Sequence, residues 1–247
     1  MRGLAEYMSR MGKKAYICPK SLVTVNRYSY TPYIFSKKEI ASIFYACDNF
    51  PASKESPNRQ IILSLVIRMI YGCGLRISEA VNLTISDVNL NEGTIFIKDT
   101  KFGKERLIPM ADTLKKRCRE YSILVLTGKS DTSYFFPSPF GGHYKSNTIY
   151  GLFRKVLWAA GISHTGKGPR LHDMRHTYAV HCLKKWALAN RDMTNCMPYL
   201  SAYLGHEDLR GSQRYLRLTA DLYPDITSKV EKNCSWLIPE VNWHETY

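Results

Sequence analysis

Residues 170–215 read RLHDMRHTYAVHCLKKWALANRDMTNCMPYLSAYLGHEDLRGSQRY, and the polar side chains of this stretch recur at spacings that a packed core does not require. His172 and Arg175 are three positions apart, so on a helix they project from one face, one turn from each other. Leu204-Gly205-His206 follows, and Tyr215 comes nine positions after His206 (215 − 206). Histidine, arginine, a second histidine and a tyrosine among basic neighbours suit a site where a phenolic oxygen attacks an anion. Each residue also has a plainer reading. Tyr215 is one of 17 tyrosines and, taken alone, fits a core position. His176 and His181 read as helix residues packing near Arg175.

Upstream, Ser36-Lys37-Lys38-Glu39 is a capping-box pattern that opens a helix through Ile40, Ile43 and Phe44. Ser56-Pro57 begins a second, more apolar helix that stops at Gly72 and Gly74. Arg76 then stands at a corner between that glycine-broken end and a short helix. It is either a surface arginine or one presented to a phosphate by a fixed bend. Residues 93–98 and 105–110 alternate like strands, and residues 99–104, including Lys101, form the lysine-rich tip of a hairpin. Residues 112–127 look helical, with Lys115, Lys116, Arg117 and Arg119 facing outward. Residues 135–145 read as a Pro- and Gly-rich loop, after which Ser146 caps a helix ending at Gly161. Gly128-Lys129-Ser130 lacks the upstream glycine of a phosphate-binding loop, which argues against nucleotide binding.

Composition narrows the partners. Thirty-five Lys+Arg against 21 Asp+Glu give a net charge of +14, which points to a polyanion, either nucleic acid or an anionic membrane surface. No apolar run is long enough to cross a membrane, and the N-terminus lacks the apolar core of a signal peptide, so a soluble cytoplasmic protein is the expectation. Seven cysteines, odd in number and without a C-x-x-C pair, read as reduced thiols. His172-x-x-x-His176 has the spacing of a zinc pair. Asp173 replaces the glutamate of that motif and no good third ligand follows, so no metal is expected there.

Arg76 within GLRISEAVNL, Lys101 within TKFGKERLIP, His172 and Arg175 within LHDMRHTYA, His206 within LGH and Tyr215 within RYL together resemble the tyrosine recombinases, or phage integrase family. Any one of these signals is weak; six in the family's order are strong. The resemblance implies a mainly α fold with a small antiparallel β-sheet (α+β). It also implies DNA strand cleavage and rejoining through a covalent 3′-phosphotyrosine, for integration or excision of a mobile element. The implied partner is double-stranded DNA, with a homo-oligomer, a tetramer on DNA, and no membrane. The expected organisation is a remnant helix and linker at 1–34 from a largely absent core-binding domain, a catalytic domain at 35–218, and a tail at 219–247 that docks on its own domain or on a neighbouring subunit. A type IB topoisomerase and a non-catalytic DNA-binding competitor are the alternatives.

The chemistry follows from the residue types. A phosphodiester resists nucleophiles, so catalysis rests on positioning and on neutralising its non-bridging oxygens. Arg76 and Arg175 offer fixed cationic forks for this. Tyr215 is the nucleophile, and its phosphate ester stays activated, so resealing needs no ATP. With an ordinary pKa near 10, the phenol needs a base or a positive field. His172 is the candidate base, Lys101 the candidate acid for the leaving 5′ oxygen, and His206 a donor to a phosphate oxygen. Side chains supply the cations, so no cofactor is required. Glu79 and Asp173 are expected to orient the arginines.

Overall fold

The computed structural model describes residues 2–19, 31–98, 105–166, 168–206 and 210–223. The chain divides into two units, Met1–Pro32 and Tyr33–Tyr247. In the first, helix α1 (Arg2–Arg10) buries none of its residues. Arg2 holds it locally, pairing with Glu6 at 2.8 Å and donating to the Cys18 carbonyl at 2.6 Å.

The second unit is mostly helical. Helix α2 (Lys37–Asp48) starts where the sequence predicts: Ser36 Oγ accepts from the Glu39 amide at 3.2 Å, and Glu39 returns the bond to the Ser36 amide at 2.7 Å. A cap of this kind contributes about 1 kcal/mol. Helix α3 (Arg59–Gly72) begins later than the Ser56-Pro57 expectation. Ser56 is buried and its hydroxyl is committed to Tyr144 Oη at 2.6 Å, so it does not cap the helix. Every residue of 62–70 is buried, so α3 is a central helix rather than a surface one. Arg68 is tolerated there because Asp48 receives both ends of its guanidinium, at 2.9 and 2.7 Å.

After the short helix α4 (Ile77–Asn82) come strands β1 (Val88–Asn89), β2 (Thr94–Ile97) and β3 (Arg106–Pro109), a meander in the order β1-β2-β3. Ile95 pairs with Val88 on one side and Ile108 on the other, and Ile97 pairs with Arg106. Ile95, Ile97 and Ile108 face the core while Phe96 and Leu107 are exposed, the alternation of a half-buried sheet. Residues 99–104, with Lys101, lie outside the described residues.

Helix α5 (Asp112–Tyr121) runs into a wider π turn, Ser122–Leu126. Its basic face is partly tied down: Lys115 donates to the Asn91 carbonyl at 2.6 Å and Arg119 to the Leu90 carbonyl at 3.0 Å. The 135–145 loop buries Phe135, Phe136 and Tyr144. Helix α6 (Ser146–Ala159) has Lys145 in the capping position, so Ser146 opens the helix instead of capping it.

Helices α7 (Asp173–Leu188), α8 (Met193–Leu204) and α9 (Arg210–Leu222) carry a second apolar cluster that includes Val180, Leu183, Met197, Leu200, Leu204 and Leu216. Asp192 caps α8 by accepting from the Thr194 amide at 2.9 Å. Two glycines let the chain close around the ends of these helices. Gly74 (φ +60°) leaves no room for a Cβ, which would lie 2.6 Å from Leu204 Cδ2 and 2.9 Å from Tyr178 Cδ1. Gly205 (φ +65°) ends α8 in the left-handed region, where a Cβ would meet Arg106 Nη1 at 2.7 Å.

Candidate active site

The backbone bend between α3 and α4 places Arg76 at the N-cap of α4 with extended angles. Its amide donates to Glu79 Oε2 at 2.8 Å, its Nη1 to Glu79 Oε1 at 2.7 Å, and its Nη2 to the Gly205 carbonyl at 3.1 Å. One guanidinium thereby links the start of α4 to the end of α8. Glu79 also receives Arg106 of β3, at 2.8 Å to Oε2 and 3.2 Å to Oε1, and Arg106 Nε donates to the Tyr203 carbonyl at 2.9 Å. Arg175 Nη1 stands 3.9 Å from the same carboxylate. Burial favours the protonated form of Glu79, but the bonds and charge of Arg106, with those from Arg76, outweigh it and hold the carboxyl below its ordinary range. One carboxylate among three guanidiniums leaves two positive charges in excess, a field suited to a phosphate.

Arg175 is 1% exposed, although it is a charged residue on α7. Its two terminal nitrogens bridge separate elements: Nη1 donates to the Gly74 carbonyl at 2.6 Å and Nη2 to the Leu204 carbonyl at 2.5 Å. Burial first, and then Arg76 nearby, lower its pKa to about 10, which still leaves it cationic at neutral pH. The planar fork is thus held by backbone carbonyls on both sides, an arrangement a lysine could not reproduce.

Tyr215, on α9, is 3% exposed. Its hydroxyl lies 2.9 Å from His176 Nδ1, and its ring is stacked with that of His206 at 5.9 Å and 23°. Burial raises the phenol's pKa; Arg175, Arg214 and Arg76 pull against this without reversing it. Tyr215 is therefore a neutral phenol at pH 7. His206 follows the left-handed Gly205, and its Nδ1 is 2.8 Å from Ser212 Oγ on α9, which joins the end of α8 to the helix carrying the tyrosine.

His172 precedes α7, and its ring meets that of His176 edge-on at 4.7 Å and 88°. Desolvation, then Arg175 and Arg76, take its imidazole down to about 4. His172 is an exposed residue, and with its pKa lowered it is neutral at pH 7. His176 is half-buried and is driven to about 3, by burial first and then by His172, Arg214, Arg175 and His206. Asp173 is fully buried and accepts from the Arg170 amide at 2.7 Å, which secures the turn leading into α7.

Of the six residues singled out from sequence, Arg76, His172, Arg175, His206 and Tyr215 come together, and Lys101 lies outside the described residues. Glu79 contacts the arginines as expected. Two participants escaped the sequence reading. Arg106 shares the inward face of β3 with Ile108, so strand alternation carried a signal for it. His176 sits one turn from His172, but that spacing fitted a packing residue equally well. Beside Arg76, a cavity of about 480 Å³ is lined by Glu79, Asp87, Phe96, Lys98 and Tyr134, with Lys98 paired to Asp87 at 2.8 Å.

The phage integrase family matches this chain over residues 34–221. A protein of Sinorhizobium fredii carrying the integrase/recombinase name y4rB is 30% identical over 246 residues, covering 94% of this chain and 76% of its own. The tyrosine recombinase XerC of Oceanobacillus iheyensis is 31% identical over 162 residues, 63% of this chain and 49% of its own, so the chain spans about half the length of that relative. Among solved structures, a post-cleavage complex of the XerH site-specific recombinase with a palindromic difH substrate has a TM-score of 0.67 at 22% identity, covering 92% of this chain and 64% of that one. At that identity the likeness is one of fold.

Proposed function

This chain belongs to the phage integrase family, and from that premise we propose that it is a tyrosine-type site-specific DNA recombinase that cuts and rejoins strands by transesterification. Tyr215 attacks a backbone phosphorus and forms a 3′-phosphotyrosine. Arg76 and Arg175 hold the non-bridging oxygens, His206 donates to one of them, His172 is the base named by the motif, and Lys101 protonates the leaving 5′ oxygen. The observation that carries the reading is the buried Tyr215 hydroxyl, which neighbours the guanidinium of Arg175 while its ring stacks on His206. A packed core gives no reason to gather these charges around one phenol.

Double-stranded DNA is the partner this chemistry requires, and the excess of two positive charges at the site suits its phosphates. Residues 35–218 act as the catalytic domain, which α9 carries on to Leu222, residues 1–34 act as its leading helix and linker, and the part of the 219–247 tail beyond Tyr223 docks on a neighbouring subunit in a tetramer on DNA. The reaction serves integration or excision of a mobile element, in the cytoplasm. The relatives' names favour strand exchange over relaxation of supercoils by a type IB topoisomerase.

The test is to trap the protein on nicked suicide DNA carrying candidate attachment sites, digest the adduct, and locate the nucleotide by mass spectrometry. The expected position is Tyr215, and Tyr215→Phe should form no adduct while binding DNA nearly as before. Strand exchange between two duplexes then separates a recombinase from a topoisomerase. An adduct on another residue, or none with any site, refutes the proposal.

A further inference from the structure

Five consecutive backbone carbonyls, Ser201 to Gly205, close the end of α8, and each accepts a hydrogen bond. The turn itself covers the first two. The His206 amide donates to the Ser201 carbonyl and the Gly205 amide to the Ala202 carbonyl, both at 3.0 Å, the pairing of a helix that ends on a left-handed residue. The next three are left over by that turn, as the last carbonyls of a helix are, and each is met by a different arginine. Arg106 Nε donates to Tyr203 at 2.9 Å, Arg175 Nη2 to Leu204 at 2.5 Å, and Arg76 Nη2 to Gly205 at 3.1 Å. Arg175 and Arg76 form the proposed phosphate clamp, and Arg106 has no task in it. We infer that Arg106 is a positioning residue for the reaction: it aims Arg76 by holding Glu79 and the last turn of α8 together, without touching DNA. The inference rests on Arg76 and Arg175 being the residues that hold the phosphate.

Arg106 grips both supports of Arg76. Its Nη2 and Nη1 donate to Glu79 at 2.8 and 3.2 Å, while its Nε is committed to Tyr203. Arg76 leans on the same two parts of the fold, through Glu79 Oε1 at 2.7 Å and the Gly205 carbonyl at 3.1 Å. The side chain of Arg106 is 9% exposed and that of Arg76 22%, so the more open guanidinium is the one left to meet a phosphate. Pairing with Ile97 in the β2–β3 ladder anchors Arg106 to the sheet. The fit is close: a Cβ at Gly205 would lie 2.7 Å from Arg106 Nη1 and 3.0 Å from its Cζ.

The residue type follows from this task. Three nitrogens of one planar group reach a carboxylate and a carbonyl at once, which a lysine with a single nitrogen cannot do. A cation is also favoured there because the C-terminal end of a helix is its negative end. Releasing Arg106 frees Glu79 and the α8 turn to shift, and Arg76 moves with them. A misplacement of about 1 Å in a group that must meet the transition state costs on the order of 100-fold in rate.

The decisive variant is Arg106→Lys, which keeps the charge and loses the fork. Single-turnover cleavage of nicked suicide DNA should fall about 100-fold, with DNA affinity within about twofold of the wild type and the same salt dependence, since no phosphate contact is removed. A neutral methylphosphonate at the scissile position leaves less charge for Arg76 to offset, and on that DNA the deficit of the variant should shrink to below about tenfold. In the wild-type protein, the Arg106 Nε–H should exchange slowly with solvent and keep its NMR position when DNA binds, while the Arg76 signal shifts. Wild-type cleavage by Arg106→Lys overturns the inference, as does an affinity loss that matches the rate loss, or a deficit undiminished on methylphosphonate DNA. An Arg106 signal that shifts with DNA as Arg76 does also overturns it, and that measurement needs no variant to fold. An adduct at Tyr215 with Arg106→Lys unaffected sinks only the role of Arg106; no adduct at Tyr215 in the wild type sinks the recombinase reading itself.

Discussion

Replacing Glu79 with glutamine keeps the shape of the side chain and removes its charge, at a position where three guanidiniums converge. The carboxylate accepts four hydrogen bonds: from the Arg76 amide at 2.8 Å and Nη1 at 2.7 Å, and from Arg106 Nη2 at 2.8 Å and Nη1 at 3.2 Å. Its side chain is 6% exposed, so water cannot stand in for it. In Glu79→Gln one oxygen becomes an NH₂ group facing donors, and the guanidiniums of Arg76, Arg106 and Arg175 lose their shared counter-charge. Removing one partner of such a buried group costs about 3–5 kcal/mol. For a chain of this length, at about 2–4 °C per kcal/mol, the melting temperature should fall by about 6–20 °C. Cleavage should drop about 100-fold in the folded variant, because Arg76 loses the bonds that aim it. The pH dependence has a definite sign. The folded pKa of Glu79 is depressed, so its stabilisation is present above the unfolded carboxylate range and is lost as pH falls through the lower folded value. The variant lacks that titration, and its stability should decline less steeply in acid. Thermal unfolding of both proteins across pH, with single-turnover cleavage at neutral pH, measures each effect. A variant melting within about 2 °C of the wild type, with a parallel acid limb, would falsify the three-arginine account.

Arg175→Ala should abolish cleavage and destabilise the fold by about 2–5 kcal/mol in thermal melts, since the buried carbonyls of Gly74 and Leu204 both lose their donor. Gly74→Ala should cost about 1–3 kcal/mol by the same measurement, because the new methyl meets Leu204 and Tyr178 at a positive φ. Lys101→Ala should slow adduct formation about 100-fold, and a 5′-thiol leaving group, which needs no proton, should restore most of the rate. His176 has a folded pKa of about 3, below the unfolded value of about 6.5, so the unfolded chain binds that proton first. Its stabilisation is complete above about pH 6.5 and is lost as pH falls toward 3, and His176→Gln should flatten that part of a stability-against-pH curve.

Local sequence was sufficient wherever the physics is local. The capping box at Ser36, the helix stops at Gly72 and Gly161, and the alternation through Ile95, Ile97 and Ile108 each involve residues a few positions apart, so their spacing reports the structure directly. The same holds for the types of residue needed to hold and attack an anion, because chemistry restricts which side chains can do it. Where local cues competed, the packing chose: Ser56 gave its hydroxyl to Tyr144, 88 positions away, and α3 began later.

Only the tertiary structure decided which groups touch. Arg175 reaches carbonyls 101 and 29 positions away, and no periodicity encodes a partner at that range. Arg106 became part of the site because the register of β3 aims it at Glu79, and His176 because α9 packs on α7 with the Tyr215 hydroxyl toward its ring. The sequence by itself determined the charges and singled out Tyr215 as the candidate nucleophile. Closing long loops around Gly74 and Gly205, where no side chain would fit, decided which charge stabilises which and which rings the Tyr215 side chain meets.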